Sequence, residues 1–321
     1  MDVFKSSTFA ERGFLNNNLP PQGTVKFIGE PEKMLYKENL KVFSSKYWKY
    51  TNPEFVSYES NDLGFRENKN FDDIDWKNTS VLVGCSFAYG HCCENENTIT
   101  EILKRDYGVP FVNAGIPGSS NRIIHNNALT FMKKYNPKKV IIMWSYPTRN
   151  TWVNVDFNED GPYWRDISVT PSIEHTVRDR KKRIVHDKIP SAFYDIHCDN
   201  TIHEWMTAMD THTLLGNKQY FTVDNDTEGV MEDNFWIKPK IMEPYNRMYM
   251  YDIVSSRDND KLKNIPVTLE DLQKPEIYEI INKMYARDLT YDAGKQKLHG
   301  GHYGEQMNRD IADLIYRENF K

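Results

Sequence analysis

The sequence predicts an α/β protein: a three-layer α/β/α sandwich on a parallel sheet, carrying a long insertion. Three observations lead there. Val81–Val83 and Val140–Trp144 are short, near-continuous apolar runs, as expected of strands covered on both faces. Capped helical patterns separate them, and the resulting β-α-β-α-β order favours right-handed crossovers. From residue 151 to 283 this alternation stops. The 321 residues suffice for one large α/β domain, or for one domain plus an insertion.

Taken in order, residues 1–57 read as an irregular N-terminal arm. They hold Asn16-Asn17-Asn18 and Pro20-Pro21, and one short strand is expected at Val25–Ile28. Residues 58–150 and 284–321 form the α/β core. After Val81–Val83 a helix is expected over Thr98–Tyr107, capped by Asn97, with Ile99, Ile102 and Leu103 inward. Pro110–Asn113 is the next strand. Ser119 or Ser120 then caps a helix reaching about Tyr135, with Ile123, Ile124, Phe131 and Met132 on its apolar side, and Pro137 ends it. The final helix is expected over Glu305–Tyr316. Residues 151–283 form an accessory lobe of long loops, with helices at Thr201–Met209 and Leu269–Met284 and a strand at Gln219–Val223. Four of the seven tryptophans (Trp152, Trp164, Trp205 and Trp236) lie in it, as a recognition surface or as the lobe's own core.

The candidate chemistry sits at Ser80–Gly90, reading S-V-L-V-G-C-S-F-A-Y-G. A buried strand ends at Gly84, and Ser86 follows two residues later. Glycine there lets the backbone turn sharply. A serine at such a turn is expected to expose its Oγ beside main-chain N–H groups, which supplies a nucleophile and the start of an oxyanion hole.

Four segments resemble the SGNH (GDSL-type) hydrolases, whose fold is flavodoxin-like. Asn61-Asp62-Leu63-Gly64-Phe65-Arg66 is similar to the N-x-x-G-F-R that precedes the nucleophile strand in many members. Ser86 with its strand matches the first block. Val112-Asn113-Ala114-Gly115-Ile116-Pro117-Gly118 resembles the second. His302, ten residues before Ala312, resembles the last. The resemblance covers residues 58–150 and 284–317. It implies Ser86 as nucleophile, His302 as general base, and the N–H groups of Ser86 and Gly118 as oxyanion donors. Gly118 equally fits an ordinary strand-to-helix turn. Tyr89, Asn121 and Arg149 are the candidate substrate-binding residues.

The match departs from the family at three places. Cys85 stands where an Asp usually precedes the nucleophile. His299 stands where an Asp usually lies three residues before the catalytic His, and it competes with His302 for that role. Asp288, within Ala286-Arg287-Asp288, and Asp292 are the acids that could orient His302; otherwise the site is a Ser–His dyad. Trp144–Asn150 replaces the block that usually supplies an Asn side chain to the oxyanion hole.

Composition narrows the function classes. The net charge of -5 argues against a general nucleic-acid binder, and the basic run Arg178–Arg183 is short. No apolar run approaches the roughly 20 residues of a membrane span. The N-terminus lacks a signal pattern, so a soluble protein is expected, cytoplasmic or virion-associated. Its Asn-, Lys-, Tyr- and Asp-rich composition resembles that of phage proteins. Four cysteines are too few for a disulfide scaffold in a chain this long. His91-Cys92-Cys93 lacks a second Cys/His pair at ligand spacing, so these residues are read as half-buried loop residues and no metal is assigned. No G-x-G-x-x-G follows a strand and no Walker lysine follows Gly84, which argues against nucleotide binding. The leading reading is a cofactor-free serine esterase acting on an acylated small molecule or carbohydrate. The alternative is an inactive scaffold that binds glycans or other virion proteins.

Overall fold

The computed structural model describes residues 23–25, 37–50, 56–144, 150–158, 161–170, 222–224, 247–249, 268–293, 297–299 and 302–321. Within these, the α/β class and the parallel sheet expected from the sequence are present. The sheet has three strands in the order β4-β3-β5, where β3 is Ser80–Gly84, β4 is Phe111–Gly115 and β5 is Val140–Met143. Every residue of all three is buried, which explains the apolar runs Val81–Val83 and Val140–Met143.

The chain divides into two compact units. One comprises Leu19–Leu82, Ser86–Pro117 and Tyr251–Lys321; the other comprises Met1–Asn18, Val83–Cys85 and Gly118–Met250. In the first, β1 (Gly23–Val25) pairs antiparallel with β2 (Tyr58–Ser60). A single helical turn, α1 (Ser86–Tyr89), precedes α2 (Ile99–Tyr107). The cap of α2 is Thr98 rather than Asn97: its hydroxyl takes the Glu101 N–H at 3.4 Å. Gly108, in the left-handed region at φ 64°, ends the helix.

Two further helices complete this unit. α4 (Pro275–Met284) begins with proline in its first turn, where the missing N–H has no helical partner anyway. It is shorter than the Leu269–Met284 helix expected from sequence, because a separate 3-10 turn occupies Asp271–Gln273. Between α4 and the last helix, β10 (Thr290–Asp292) pairs antiparallel with β11 (Lys297–His299). α5 (Glu305–Asn319) buries Met307, Ile311, Ala312 and Ile315. It lies on α2, with the Tyr107 and Tyr316 rings stacked at 4.4 Å.

Residues 37–50, assigned from sequence to an irregular arm, belong to the core of this unit. Residues 37–42 are helical. Phe43, Trp48 and Tyr50 then pack with Leu272, Tyr278, Ile281 and Leu289. The Tyr278 hydroxyl takes the Ser44 N–H at 2.7 Å, which ties the segment down.

In the other unit, α3 (Asn121–Lys134) is capped by Ser120, whose hydroxyl takes the Ile123 N–H. Its apolar face is Ile123, Ile124, Ala128 and Phe131; Met132 is only half-buried. β6 (Asn150–Asn158) and β7 (Gly161–Thr170) form an antiparallel hairpin with an irregularity at Asn154/Val155, so the accessory lobe begins with regular structure. β8 (Thr222–Asp224) and β9 (Arg247–Tyr249) pair in parallel. The expected helix Thr201–Met209, and Trp205 and Trp236, lie outside the described residues. Among the described residues no helix is long and apolar enough to cross a membrane.

Candidate active site

The segment Asn61–Arg66 builds a clamp. Asn61 Oδ1 accepts from the Leu63 and Phe65 N–H groups at 3.1 and 3.0 Å, a side-chain-directed turn. Gly64 completes it at φ 82°, where a Cβ would be strained. Phe65 is fully buried against Phe71, and Arg66 is thereby aimed inward. Its guanidinium donates to the carbonyls of Tyr89 (3.2 Å), Gly90 (2.5 Å) and Cys93 (2.7 Å). One buried cation thus gathers the carbonyls of the loop that follows Ser86.

Ser86 starts α1 directly after β3 and Cys85. Its carbonyl takes the His91 N–H at 3.0 Å, closing the loop. β4 lies against this turn only because residue 115 is glycine: a Cβ there would sit 2.6 Å from Tyr89 Cα and 2.7 Å from the Ala88 carbonyl carbon. Asn113 fixes the same junction, donating to Tyr89 O (3.3 Å) and accepting from Gly115 N–H (3.0 Å). Ser86 is 5% exposed, because α1 packs on β4. Among the described residues Ser86 Oγ makes no hydrogen bond.

His302 is held from the opposite side. Its Nδ1 is 2.6 Å from Asp288 Oδ2, and its main-chain N–H donates to Asp288 Oδ1 at 2.9 Å. Ala286 N–H donates to His302 O at 2.9 Å. The residue between, Arg287, is 1% exposed; it donates to Cys92 O (3.3 Å) and Glu94 Oε1 (2.6 Å). The three consecutive residues Ala286-Arg287-Asp288 therefore bind the histidine loop and the serine loop together. Burial pushes the Asp288 carboxyl up, but the His302 charge and hydrogen bonds outweigh it and hold it at about 2. Of the two acids left open by the sequence, Asp288 is the one on His302. Asp292 pairs with Lys297 along the β10–β11 ladder, and His299 pairs with Thr290.

The His302 ring lies 4.8 Å from the Phe87 ring and 4.7 Å from the His91 ring, centroid to centroid. Both neighbours belong to the Ser86 loop. His91 stacks on Tyr58 at 6.3 Å, and its Nδ1 is buried without a hydrogen-bond partner. Burial, and then the charge of His302, push the His91 pKa down to about 3, so its ring is neutral at pH 7. Sequence reading assigned His91 no role in the site; its only signal was its place five residues after Ser86.

Tyr89 is fully buried, stacked on Tyr58 at 5.7 Å, which leaves it no face for substrate. Gly118 has φ 77°, and Asn121 opens α3 and is 5% exposed; both belong to the other unit. Arg149 lies outside the described residues. The cysteines expected to be half-buried, Cys92 and Cys93, are fully buried, since Ala286 packs on both.

No family model and no curated protein sequence matches this chain. Among solved structures, the lipase/acylhydrolase from Enterococcus faecalis is similar at 14% identity, covering 75% of this chain and 94% of that one, with a TM-score of 0.37. AlinE4, a SGNH-hydrolase family esterase, is similar at 10% identity, covering 65% and 95%, with a TM-score of 0.35. Likenesses this distant carry neither a family nor an activity to this chain.

Proposed function

We propose that the protein is a serine ester hydrolase, with Ser86 as nucleophile, His302 as general base and Asp288 as the group that orients the base. The observation that carries this reading is the pair of hydrogen bonds that Asp288 accepts from His302, on a loop whose imidazole touches the ring of Phe87, the residue after Ser86. With Nδ1–H given to Asp288, the Nε2 lone pair of His302 is the one available to a substrate-side proton. Asp288 stays ionised across the working range and stabilises the imidazolium that forms.

In this reading Ser86 Oγ attacks the ester carbonyl as His302 Nε2 takes its proton. The Ser86 main-chain N–H stabilises the oxyanion. The proton passes to the departing alcohol, leaving an acyl-Ser86. Water then adds, deprotonated by His302, and the same proton passes to Ser86 Oγ as its bond to the acyl carbon breaks and the acid leaves. The near-complete burial of Ser86 favours a small acyl group, such as an O-acetyl on a carbohydrate. The missing Ser86–His302 hydrogen bond favours the second reading, a non-catalytic scaffold, although such bonds often tighten only with substrate bound.

Labelling with a fluorophosphonate, followed by peptide mapping, decides between them. We expect the label on Ser86, and loss of p-nitrophenyl acetate hydrolysis in Ser86→Ala. An unlabelled Ser86 in folded protein refutes the hydrolase reading and leaves the scaffold.

A further inference from the structure

We propose that His91, Cys92 and His302 form a binding site for a thiophilic divalent cation such as Zn²⁺, and that the ion silences the site by capping His302. One donor atom from each residue lies within 4.8 Å of the other two. Around a tetrahedral zinc, with bonds of about 2.0–2.3 Å, neighbouring donors stand about 3.4–3.6 Å apart. Closure of about 1 Å therefore brings the three onto one ion, with a water completing the shell. Two imidazoles and a thiolate select zinc or cobalt over magnesium or calcium, which prefer oxygen.

Three independent features support the site. The first is the buried Nδ1 of His91, which has no hydrogen-bond partner. A buried polar atom is costly to leave without a partner, and a metal ion would satisfy it. The second is Asp288 on His302 Nδ1. Metal-bound histidines ordinarily give their other N–H to a carboxylate in this way, which fixes the ring and raises its donor strength. The third is the backbone of Cys92, held in the left-handed region at φ 62° although it is not glycine. The Tyr58 hydroxyl accepts its N–H at 2.8 Å, and Arg287 donates to its carbonyl. Both backbone polar groups of Cys92 are thus anchored. On binding, the Cys92 S–H bond breaks as the S–metal bond forms, and one proton leaves to solvent.

Only the inhibitory half rests on the proposed hydrolase activity. An ion on His302 Nε2 occupies the lone pair that must accept the Ser86 proton, so turnover stops while metal is bound.

The test begins with chelator-treated full-length protein titrated with Co²⁺. We expect one equivalent to bind, with a thiolate-to-cobalt charge-transfer band in the near ultraviolet. Cys92→Ser should lose that band, and His91→Gln should weaken binding at least tenfold. No band in the wild type, or an unchanged band in Cys92→Ser, overturns the site; in the latter case another thiol is the ligand. If Cys92→Ser does not fold, unchanged affinity in His91→Gln overturns it instead. Zn²⁺ should then stop ester hydrolysis in the wild type while Cys92→Ser keeps turning over. Full activity in zinc-loaded wild type overturns the inhibitory half. If the protein hydrolyses no ester at all, the hydrolase reading has failed, and the cobalt titration still decides the metal site.

Discussion

Asp288 grips His302 twice, through the ring nitrogen at 2.6 Å and through the main-chain N–H at 2.9 Å. The two bonds set both the tautomer and the position of the imidazole. Asp288→Asn keeps the shape but offers a single carbonyl oxygen and no charge. On the proposed mechanism, kcat/KM for p-nitrophenyl acetate should fall by about 10³–10⁴, as expected when the base loses its orienting carboxylate. Asp292→Asn should leave it within about twofold, since a substitution remote from the reacting groups has little effect on transition-state binding. Equal losses in the two variants would remove Asp288 from the mechanism.

Gly115→Ala tests the fit of the Ser86 turn on β4. The added methyl meets backbone atoms of Ala88 and Tyr89, which cannot step aside as a flexible side chain can. Overpacking of this kind costs about 1–3 kcal/mol, and more where backbone must move. A urea titration should show that loss, and the surviving folded protein should be a poorer hydrolase because Ser86 is displaced. Gly108→Ala is the control: no atom lies within 4 Å of its added Cβ, and only the left-handed φ of 64° is strained. It should lower stability without a further loss of turnover per folded molecule.

The sheet was legible because apolar runs such as Val81–Val83 and Val140–Met143 are buried on both faces and need no distant partner to declare themselves. The caps were legible to within one residue. Thr98 took the role given to Asn97 because it has Glu101 three residues on, and its hydroxyl reaches that N–H. Phe43, Trp48 and Tyr50 were not readable as core. Their partners Tyr278 and Ile281 lie more than two hundred positions away, and no local period announces them. The choice between Asp288 and Asp292 stayed open for a similar reason. The β10–β11 hairpin fills the span between Asp288 and His302, and only its antiparallel return brings those two together. The His91–His302 contact likewise needs the fold, since 86–93 and 285–304 are joined through Arg287 and not through sequence.

Arg66 carries a prediction about order in the serine loop. It is 3% exposed and donates to the carbonyls of Tyr89, Gly90 and Cys93, while stacking over Tyr58 at 4.7 Å. Arg66→Met fills much of the same volume but removes this donor; Tyr89 O keeps Asn113 and Gly90 O keeps the Cys93 N–H, so the carbonyl left stranded is that of Cys93. A stranded buried carbonyl costs about 1–3 kcal/mol and each ordinary hydrogen bond lost about 1 kcal/mol, so a total loss of about 2–4 kcal/mol is expected. Hydrogen exchange should rise first at Gly90 and Cys93, whose N–H groups close the loop onto Phe87 and Gly90. Lysine at this position can reach fewer of the carbonyls and should recover only part of the loss. Wild-type protection in Arg66→Met would show that the loop holds itself.

His91 makes the protein sensitive to mild acid. The groups facing it are His302 and Arg66, which oppose its protonation, and Asp288, which favours it; burial opposes it most. In the folded state its pKa is lowered to about 3, whereas in the unfolded chain it takes the ordinary value of 6.5. Between those values the unfolded chain binds a proton that the native state does not, so stability must fall as pH falls. The slope from this one residue is about 1.4 kcal/mol per pH unit, beginning near pH 6.5 and ending near pH 3. Asp288 adds a second loss at lower pH. Its carboxyl is depressed to about 2 in the folded state, so its contribution disappears only as pH drops from about 4 toward 2. Urea midpoints taken in chelator should therefore decline steadily from pH 6.5 to 4 in the wild type. His91→Gln, which cannot take up a proton in either state, should flatten that limb while leaving the decline below pH 4 in place. A variant that loses stability as steeply as the wild type between pH 6.5 and 4 would show that some other group drives the acid transition.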